Sequence, residues 1–160
     1  MKPRIRAEGI VMKTFQSPFS DKPSGPHVLV QCDQSESFYR FPGGSIEFGE
    51  TAGTTIMREL QEEFNLDYVV GDLAAISENL FEYDTRKRHD VTLIHWCTLA
   101  KDSEMKMEQV RWHNEHSTVK LVWRTLNKIS SRPVYPTGIL EVLRAGPQPV
   151  VHLVNKKMGD

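Results

Sequence analysis

Apolar residues occur along this chain in short blocks, separated by segments rich in Gly, Pro, Ser and Asp. Short apolar blocks bounded by turn residues are typical of β-strands. The pattern predicts strands over residues 5–12, 27–32, 37–41, 68–70, 73–83, 90–99 and 119–123, with 150–154 as a last strand or a packed tail. It also predicts a long loop over 14–26, a break at Gly71 and Asp72, a hairpin tip over 84–88 and an irregular segment over 101–118.

One segment, residues 51–64, has the spacing of a helix. The apolar side chains that share one side of this helix, and that we expect to pack against the sheet, are Ile56, Met57, Leu60 and Phe64. Thr51 is placed to cap the helix N-terminus. Asn65 follows the last apolar position and suits the left-handed conformation that ends many helices.

A second helix is predicted after Pro136, over residues 137–143, before Gly146 and Pro147 end it. A chain of mostly strands with two helices predicts the α+β class. We expect a single domain over residues 1–160, since this length is typical of one domain.

The charge balance narrows the class of partner. Lys and Arg number 20 and Asp and Glu number 21, which gives a formal net charge of −1 and argues against general nucleic-acid binding. No apolar run approaches the roughly 18 residues of a membrane span, and no secretory signal is visible. Cys32 and Cys97 lie in apolar strand blocks, and we interpret them as buried, reduced thiols. These features together predict a cytoplasmic protein.

Three glutamates stand at positions i, i+3 and i+4 of the predicted helix, namely Glu59, Glu62 and Glu63. Residues at this spacing share one face of a helix, so the carboxylates lie side by side. Carboxylate oxygens are the ligands that Mg²⁺ prefers, and such a cation bridges phosphate oxygens and positions a water molecule. Gly43 and Gly44 precede the helix in a turn sequence, where paired glycines let the backbone approach a ligand.

The spacing of residues from Gly44 to Leu66 closely resembles the Nudix box, the signature of enzymes that hydrolyse a nucleoside diphosphate linked to another moiety. The family pattern is Gly, five residues, Glu, seven residues, Arg-Glu-aliphatic, one residue, Glu-Glu, one residue, Gly-aliphatic. This chain departs from it at one fixed position, where Asn65 replaces Gly. The resemblance implies an α/β/α sandwich around a mixed β-sheet and Mg²⁺-dependent hydrolysis of a diphosphate linkage, with Mn²⁺ as a substitute.

The alternative is a catalytically silent Nudix-fold module that binds a nucleotide as a sensor or partner. Degenerate members of the family usually lack box glutamates, whereas this chain keeps all four, so the resemblance favours the enzyme. It implies a small nucleotide as substrate, and it leaves a homodimer open.

The resemblance also implies roles for individual residues of the box. Glu62 and Glu63 correspond to metal ligands, and Glu59 corresponds to a ligand or to the general base. Glu50 supports the metal site, and the carbonyl of Gly43 commonly binds a metal in the family.

Arg58 is a catalytic candidate by the same resemblance, because a planar guanidinium suits the orientation of neighbouring glutamates. In some members the general base is a glutamate on a loop before the last strand. The candidates in that region are Glu104, Glu108 and Glu115. Glu115 is favoured because it is nearest to the strand, and we interpret the flanking His113 and His116 as residues of a solvated loop.

Candidate substrate contacts lie on both sides of the box. Arg40 precedes the glycine turn and is placed to reach a phosphate, and Gly44 is expected to let the substrate approach the backbone. Tyr83 follows the box at a distance where members that cleave diadenosine polyphosphates often have Tyr. Phe15 and Phe19, in the predicted long loop, are further candidates for stacking on a base, although ordinary packing is the favoured interpretation.

Overall fold

The structure, a computed structural model, describes residues 1–17, 19 and 23–158. The strands in this part of the chain are β1 (Arg4–Gln16), β2 (Pro23–Asp33), β3 (Gly43–Ser45), β4 (Tyr68–Tyr83), β5 (Arg86–Leu99), β6 (Val110–Trp112), β7 (Val119–Thr125) and β8 (Val151–Lys157). The helices are α1 (Ala52–Phe64), α2 (Leu126–Ser130) and α3 (Ile139–Ala145).

The described strands form one mixed sheet in the order β6-β7-β2-β1-β5-β4-β8, and β3 pairs with β1 beside this path. The pairs β1–β5 and β4–β8 are parallel, and the other pairs are antiparallel. β1 pairs with β2 near its C-terminal end and with β3 near its N-terminal end. The sheet is therefore split beside β1, and β3 and its glycines lie at this split.

Helices cover both faces of the sheet, and each face has its own apolar core. The core on the face that α1 covers, here the α1 face, contains Ala7, Val11, Leu29, Ile56, Leu60, Phe64, Leu66, Tyr68, Cys97, Met105, Leu121 and Trp123. The core on the opposite face, here the α3 face, contains Ile10, Val28, Val30, Cys32, Tyr39, Phe41, Ala74, Ala75, Ile94, Val122, Ile129, Ile139, Val142 and Leu143. This arrangement confirms the α+β class and the α/β/α sandwich.

Helix α1 begins and ends as its local sequence predicts. The Thr51 side chain accepts a hydrogen bond from the backbone N–H of Thr54, and Asn65 adopts the left-handed conformation with φ 53° and ψ 40°. The expectation that Met57 is buried is wrong, since its side chain is 46% exposed. Thr55 is buried instead, because its hydroxyl donates to Glu50 at 3.0 Å on the side of the helix that meets β3.

Two predictions of secondary structure are wrong because contacts between distant segments determine the backbone conformation there. Residues 37–41 form isolated bridges, Gln31 with Arg40 and Tyr39 with Val134, and the strand begins later, in the predicted glycine turn at β3. The predicted break at residues 71 and 72 is an irregularity inside β4, whose register with β5 shifts between Val70 and Ala75.

Other boundaries also move. β1 and β2 extend into the predicted loop 14–26, of which residues 18 and 20–22 lie outside the described part. The segment 101–118 contains the short strand β6, and the short helix α2 is additional. The last apolar block is a strand, β8. The predicted hairpin over 84–88 has a shorter tip, since only residues 84 and 85 form the turn between β4 and β5 and residues 86–88 belong to β5. Cys32 and Cys97 are free and buried, and burial raises their pKa values to about 11 and about 12.

Of the described helices, none has the length and apolar character needed to cross a membrane.

We predict that Leu60→Ala lowers the free energy of unfolding by about 2–5 kcal/mol, because Leu60 is fully buried and its truncation leaves a cavity. Met57→Ala on the same helix is the control, and we expect it to cost less than about 1 kcal/mol because Met57 is exposed. Urea unfolding of both variants measures the difference. Equal losses would contradict the assignment of Leu60 to the core beneath α1.

Candidate active site

Two glycines let the strand β3 lie close to both of its neighbours, β1 and α1. A Cβ atom on Gly43 would stand 2.0 Å from the carbonyl oxygen of Ala7, and one on Gly44 would stand 2.5 Å from the Glu59 carboxyl carbon. Neither position accepts a side chain without displacing its neighbours. Gly44 was predicted to let the substrate approach the backbone. In the structure, the space beside Gly44 is occupied by the carboxylate of Glu59, and the missing side chain makes room for that group.

Arg58 binds three of the four box glutamates. Its guanidinium donates to both oxygens of Glu50 at 2.8 and 2.9 Å, to Glu59 at 2.9 Å and to Glu62 at 3.3 Å. A further hydrogen bond of 3.3 Å reaches the carbonyl of Ser45 in β3. The hydrogen bonds to Glu50 and the charge of the carboxylates raise the pKa of Arg58, so it stays cationic. Arg58 therefore connects the helix, the preceding loop and β3.

Both carboxylate oxygens of Glu50 accept hydrogen bonds from donors within the protein. Besides Arg58, it accepts hydrogen bonds from the backbone N–H of Glu47 and the hydroxyl of Thr55, both at 3.0 Å. The hydrogen bonds from Arg58, followed by that from Glu47, lower the pKa of Glu50 to about 2. This arrangement matches a supporting role around the site more closely than direct binding of a metal.

Glu59 and Glu63 form a pair of adjacent carboxyl groups on the buried side of the acidic face. Their side chains are 16% and 19% exposed, whereas that of Glu62 is 57% exposed. Burial, and then the neighbouring Glu59 carboxylate, raise the pKa of Glu63 to about 8. The pair is thus a place of concentrated negative charge, where one proton or one cation relieves the repulsion.

As the side chains stand, no group of three His, Cys, Asp or Glu residues in the described part of the chain converges closely enough to hold a metal ion. The reason is visible in the hydrogen bonds, since Arg58 draws Glu59 and Glu62 toward itself. The donor set nevertheless fits Mg²⁺, because it consists of hard carboxylate and carbonyl oxygens.

A second chain segment, residues 110–118, docks on the C-terminal end of α1. The backbone N–H of Asn114 donates to the carbonyl of Glu63 at 2.8 Å, and its side-chain amide donates to that of Glu62 at 2.7 Å. Arg111 donates to the carbonyls of Phe64 and Asn65 at 3.1 Å. Helix ends leave such carbonyls without internal partners, so this segment completes the helix and is fixed by it.

The same docking brings His113 to the glutamate pair, so the interpretation of a solvated His113 is wrong. His113 is 8% exposed and its ring meets Phe64 edge-on. Its Nδ1 accepts backbone hydrogen bonds from Glu115 at 3.0 Å and His116 at 3.1 Å, which places the ring proton on Nε2. Nε2 stands 3.5 Å from Oε1 of Glu63. Burial and the nearby His116 lower the pKa of His113, so the ring is neutral at pH 7.

Glu115 lies in this docked segment, directly after Asn114, with its side chain exposed. Glu104 contributes its backbone carbonyl to Arg111, and Glu108 is exposed near Phe15 and Met105. Among the three predicted base candidates, Glu115 directly follows Asn114, which binds the end of α1, whereas Glu104 is connected to that end only through its backbone carbonyl and Arg111.

Arg40 and Glu8 extend the site beyond α1, since the charges of both Glu8 and Glu63 act on Arg40. Arg40 is half-buried, and burial lowers its pKa, which the carboxylates of Glu8 and Glu63 partly offset. Glu8 is 5% exposed, and its Oε1 has no hydrogen-bond partner among the described residues, whereas its Oε2 lies 3.5 Å from Arg6. Sequence reasoning missed Glu8, although a charged residue inside an apolar strand is a signal that could have found it.

The remaining stacking candidates lie elsewhere. Tyr83 is the last residue of β4, at the hairpin, and is 69% exposed. It pairs with Arg86 of β5. From Arg86, β5 runs eight residues to Ile94, which pairs with Glu8. Eight strand residues span roughly 26 Å, so Tyr83 is not brought to the carboxylates. Phe15 packs against Trp123 and His27, as ordinary packing predicts, and Phe19 is 96% exposed.

Comparison with known protein families agrees with the fold and with the acidic helix α1. A family model described as NUDIX domain matches residues 19–144, so the chain belongs to the NUDIX domain family. The expectation of a Nudix-type hydrolase acting on phosphoanhydride bonds is confirmed at the level of this family. No curated protein sequence matches the chain.

Solved structures share the fold. The E. coli ORF135 protein is 23% identical, with 91% of each chain covered and a TM-score of 0.56. An ADP-ribose pyrophosphatase from Streptococcus suis 89-1591 is 16% identical, with 94% of this chain and 99% of that chain covered and a TM-score of 0.57. A NUDIX hydrolase from Nitrosomonas europaea is 16% identical, with 99% of this chain and 81% of that chain covered and a TM-score of 0.61.

We predict that the metal-free protein loses stability as the pH rises from 4.5 to about 8, because Glu63 keeps its proton in the folded state and loses it in the unfolded state over this range. Mg²⁺ should offset the loss by binding the ionised pair. Thermal unfolding across pH, with and without Mg²⁺, measures both effects. Glu63→Gln is the control and should have a flatter pH dependence. An unchanged slope in that variant would contradict the assignment to Glu63.

Proposed function

We propose that this chain hydrolyses the diphosphate linkage of a nucleoside diphosphate derivative with the help of a divalent cation. The observation that carries the proposal is the cluster of glutamates around Arg58, in which Glu59 is seated against Gly44. An acidic cluster ordered by one cationic side chain is typical of a site for a metal–phosphate complex rather than of a solvated helix face.

The residues present fit Mg²⁺, with Mn²⁺ as a substitute. The raised pKa of Glu63 supports this, since adjacent carboxyl groups that resist ionisation are stabilised by a cation. We propose that Glu59, Glu62, Glu63 and the carbonyl of Gly43 hold it. When bound, such a cation withdraws charge from the phosphate and makes a bound water easier to deprotonate.

The other residues position these groups. Arg58 and Glu50 hold Glu59 in place, through the hydrogen bonds described above. Arg40 is placed to bind a phosphate oxygen, because its half-buried guanidinium has no ion pair to a described side chain. The proton of the attacking water passes to a carboxylate, and Glu59 and Glu115 remain the two candidates.

We further propose that His113 is a positioning residue for Glu63. Its Nδ1 is used by backbone donors, so only the Nε2–H faces the carboxylate. A neutral donor orients one oxygen of Glu63 without adding a positive charge that would compete with a cation.

We predict that Glu59→Gln, Glu62→Gln and Glu63→Gln each lower turnover roughly 100-fold or more, since each weakens the charge that stabilises the transition state. None of these side chains forms part of an apolar core, so the variants should fold, and Glu63→Gln should be more stable than the unaltered protein near pH 8 without a cation. The measurement is product release from a panel of nucleoside triphosphates, nucleotide sugars, dinucleoside polyphosphates and capped RNA, beside thermal unfolding.

Glu141→Gln, an exposed glutamate on α3, is the control and should keep full activity. Chelation should abolish turnover, and added Mg²⁺ or Mn²⁺ should restore it. Near-normal turnover in all three glutamine variants would overturn the catalytic assignment and leave the nucleotide-binding module as the function.

We predict that two amide substitutions at His113 differ in how much function they retain. His113→Asn keeps an acceptor near the Nδ1 position and removes the donor to Glu63, so Mg²⁺ affinity and kcat should fall about 10–100-fold while the fold remains. His113→Gln keeps a donor near the Nε2 position and should retain more of both. Calorimetric Mg²⁺ titration and steady-state kinetics measure them. A purely structural role would instead give equal losses in the two variants, in proportion to their loss of stability.

A further inference from the structure

Glu8, on β1, is a buried carboxylate next to the glycine turn of the site. The strand register pairs it with Gly43 of β3. Glu8 is 5% exposed, and its Oε1 has no hydrogen-bond partner among the described residues. A buried carboxylate with an unused acceptor is costly to fold, so its presence beside the site calls for a function.

Two arginines approach this carboxylate, Arg6 and Arg40. Nη2 of Arg6 lies 3.5 Å from Oε2 of Glu8, and the Arg6 side chain is 12% exposed. Arg40 is half-buried, and its guanidinium has no hydrogen-bond or ion-pair partner in the part of the chain that the structure describes. Of the charges that act on Arg40, that of Glu8 is the largest, and it offsets part of the fall in pKa that burial causes. One oxygen of Glu8 thus faces Arg6, and the other is left for Arg40.

The same two arginines act on the glutamate pair of α1. The charges of Arg40 and Arg6 lower the pKa of Glu63, against the larger rise that burial and the neighbouring carboxylate cause. Arg6 also pairs with Ser45, whose carbonyl accepts a hydrogen bond from Arg58. Both arginines are therefore within electrostatic reach of the proposed metal site as well as of Glu8.

We propose that Glu8 is a positioning residue, which holds Arg6 and Arg40 as two cations that bind one phosphate group of the substrate. The proposal rests on the proposed function, and it adds Arg6 and Glu8 to the same site. Two guanidinium groups repel each other, and each binds a phosphate best when its planar N–H groups keep a fixed direction. A carboxylate shared by the two arginines lowers the repulsion and orients both groups.

The sign of the effect on phosphate binding separates this role from a simple effect of charge. Glu8→Gln removes a negative charge from the site, which by itself would strengthen the binding of an anion. If Glu8 orients the arginines, the same change weakens the binding, because a neutral amide holds a guanidinium less strongly and presents its own N–H groups to it.

The test uses methylenediphosphonate with Mg²⁺, a diphosphate analogue that cannot be hydrolysed and carries no base. Calorimetry gives its dissociation constant for the unaltered protein, for Glu8→Gln, Arg6→Gln and Arg40→Gln, and for the double variant Glu8→Gln/Arg40→Gln. We expect each single variant to bind about tenfold more weakly, which is the scale of one charge-assisted hydrogen bond. The double variant should bind no more weakly than Arg40→Gln, because Glu8 acts through Arg40.

Glu78→Gln is the matched control, since this glutamate lies on β4 and its ion-pair partner is His152. It should bind the diphosphonate as the unaltered protein does. On a substrate from the panel, Glu8→Gln should raise KM about tenfold with a smaller change in kcat. A purely structural defect would instead lower kcat in proportion to the folded fraction and leave KM unchanged.

Arg40→Lys tests the same arrangement without altering Glu8, and it carries the test if Glu8→Gln does not fold. Lysine keeps the charge but lacks the planar fork that a carboxylate orients, so the affinity should again fall about tenfold. Full affinity in this variant would show that only the charge at position 40 matters, and it would overturn the proposal.

Unchanged or tighter binding by Glu8→Gln would also overturn the proposal, and so would losses that add in the double variant. The absence of Mg²⁺-dependent binding in the unaltered protein would do the same. Failure of the proposed function is a separate result, namely binding of the diphosphonate without hydrolysis of any panel substrate.

Discussion

Repulsion among neighbouring carboxylates is the constraint on which the arrangement around α1 depends. Like charges this close raise one another's pKa unless a cation is present. Arg58 neutralises most of the cluster by binding Glu50, Glu59 and Glu62, and it also ties the helix to β3 through Ser45. Glu63 lies beside Glu59 without a cationic partner of its own. Its pKa is raised because burial and the neighbouring carboxylate both disfavour its charged form. In the proposed function the divalent cation supplies the missing charge.

Three segments that are distant in the sequence meet at this cluster because each satisfies backbone groups of another. β3 lies close to β1 at Gly43 and close to α1 at Gly44, where a side chain would collide with Ala7 and with Glu59, respectively. The segment 110–118 binds the free carbonyls at the other end of α1. The helix is therefore held at both ends, and the glutamates on it project from a rigid element, which favours precise chemistry over adaptable binding.

Charge is distributed unevenly over a chain that is close to neutral overall. Negative groups collect on α1, and the cationic side chains of Lys2, Arg4, Arg86, Lys87 and Arg88 lie around the start of β1 and the β4–β5 hairpin. Fields of this kind attract anionic ligands and orient them before contact.

Features that depend on neighbours in the chain were predictable from the sequence. α1 and its caps at Thr51 and Asn65 follow from local hydrogen bonds and backbone preference, and the grouping of Glu59, Glu62 and Glu63 follows from helical spacing. The strands with a strong apolar pattern, such as β5 and β7, were predictable for the same reason. Met57 was misassigned because the helix turns a narrower face to the sheet than its apolar residues suggest.

Features that depend on contacts between distant segments were decided by the tertiary structure alone. His113 is buried beside Glu63 because residues 110–118 complete the end of α1, and no local pattern encodes that docking. Arg4 meets Asp90 because β1 pairs in parallel with β5 across 86 positions of sequence. Local sequence specifies which residues share a helix face or a strand, whereas pairing between remote strands specifies which of those faces meet.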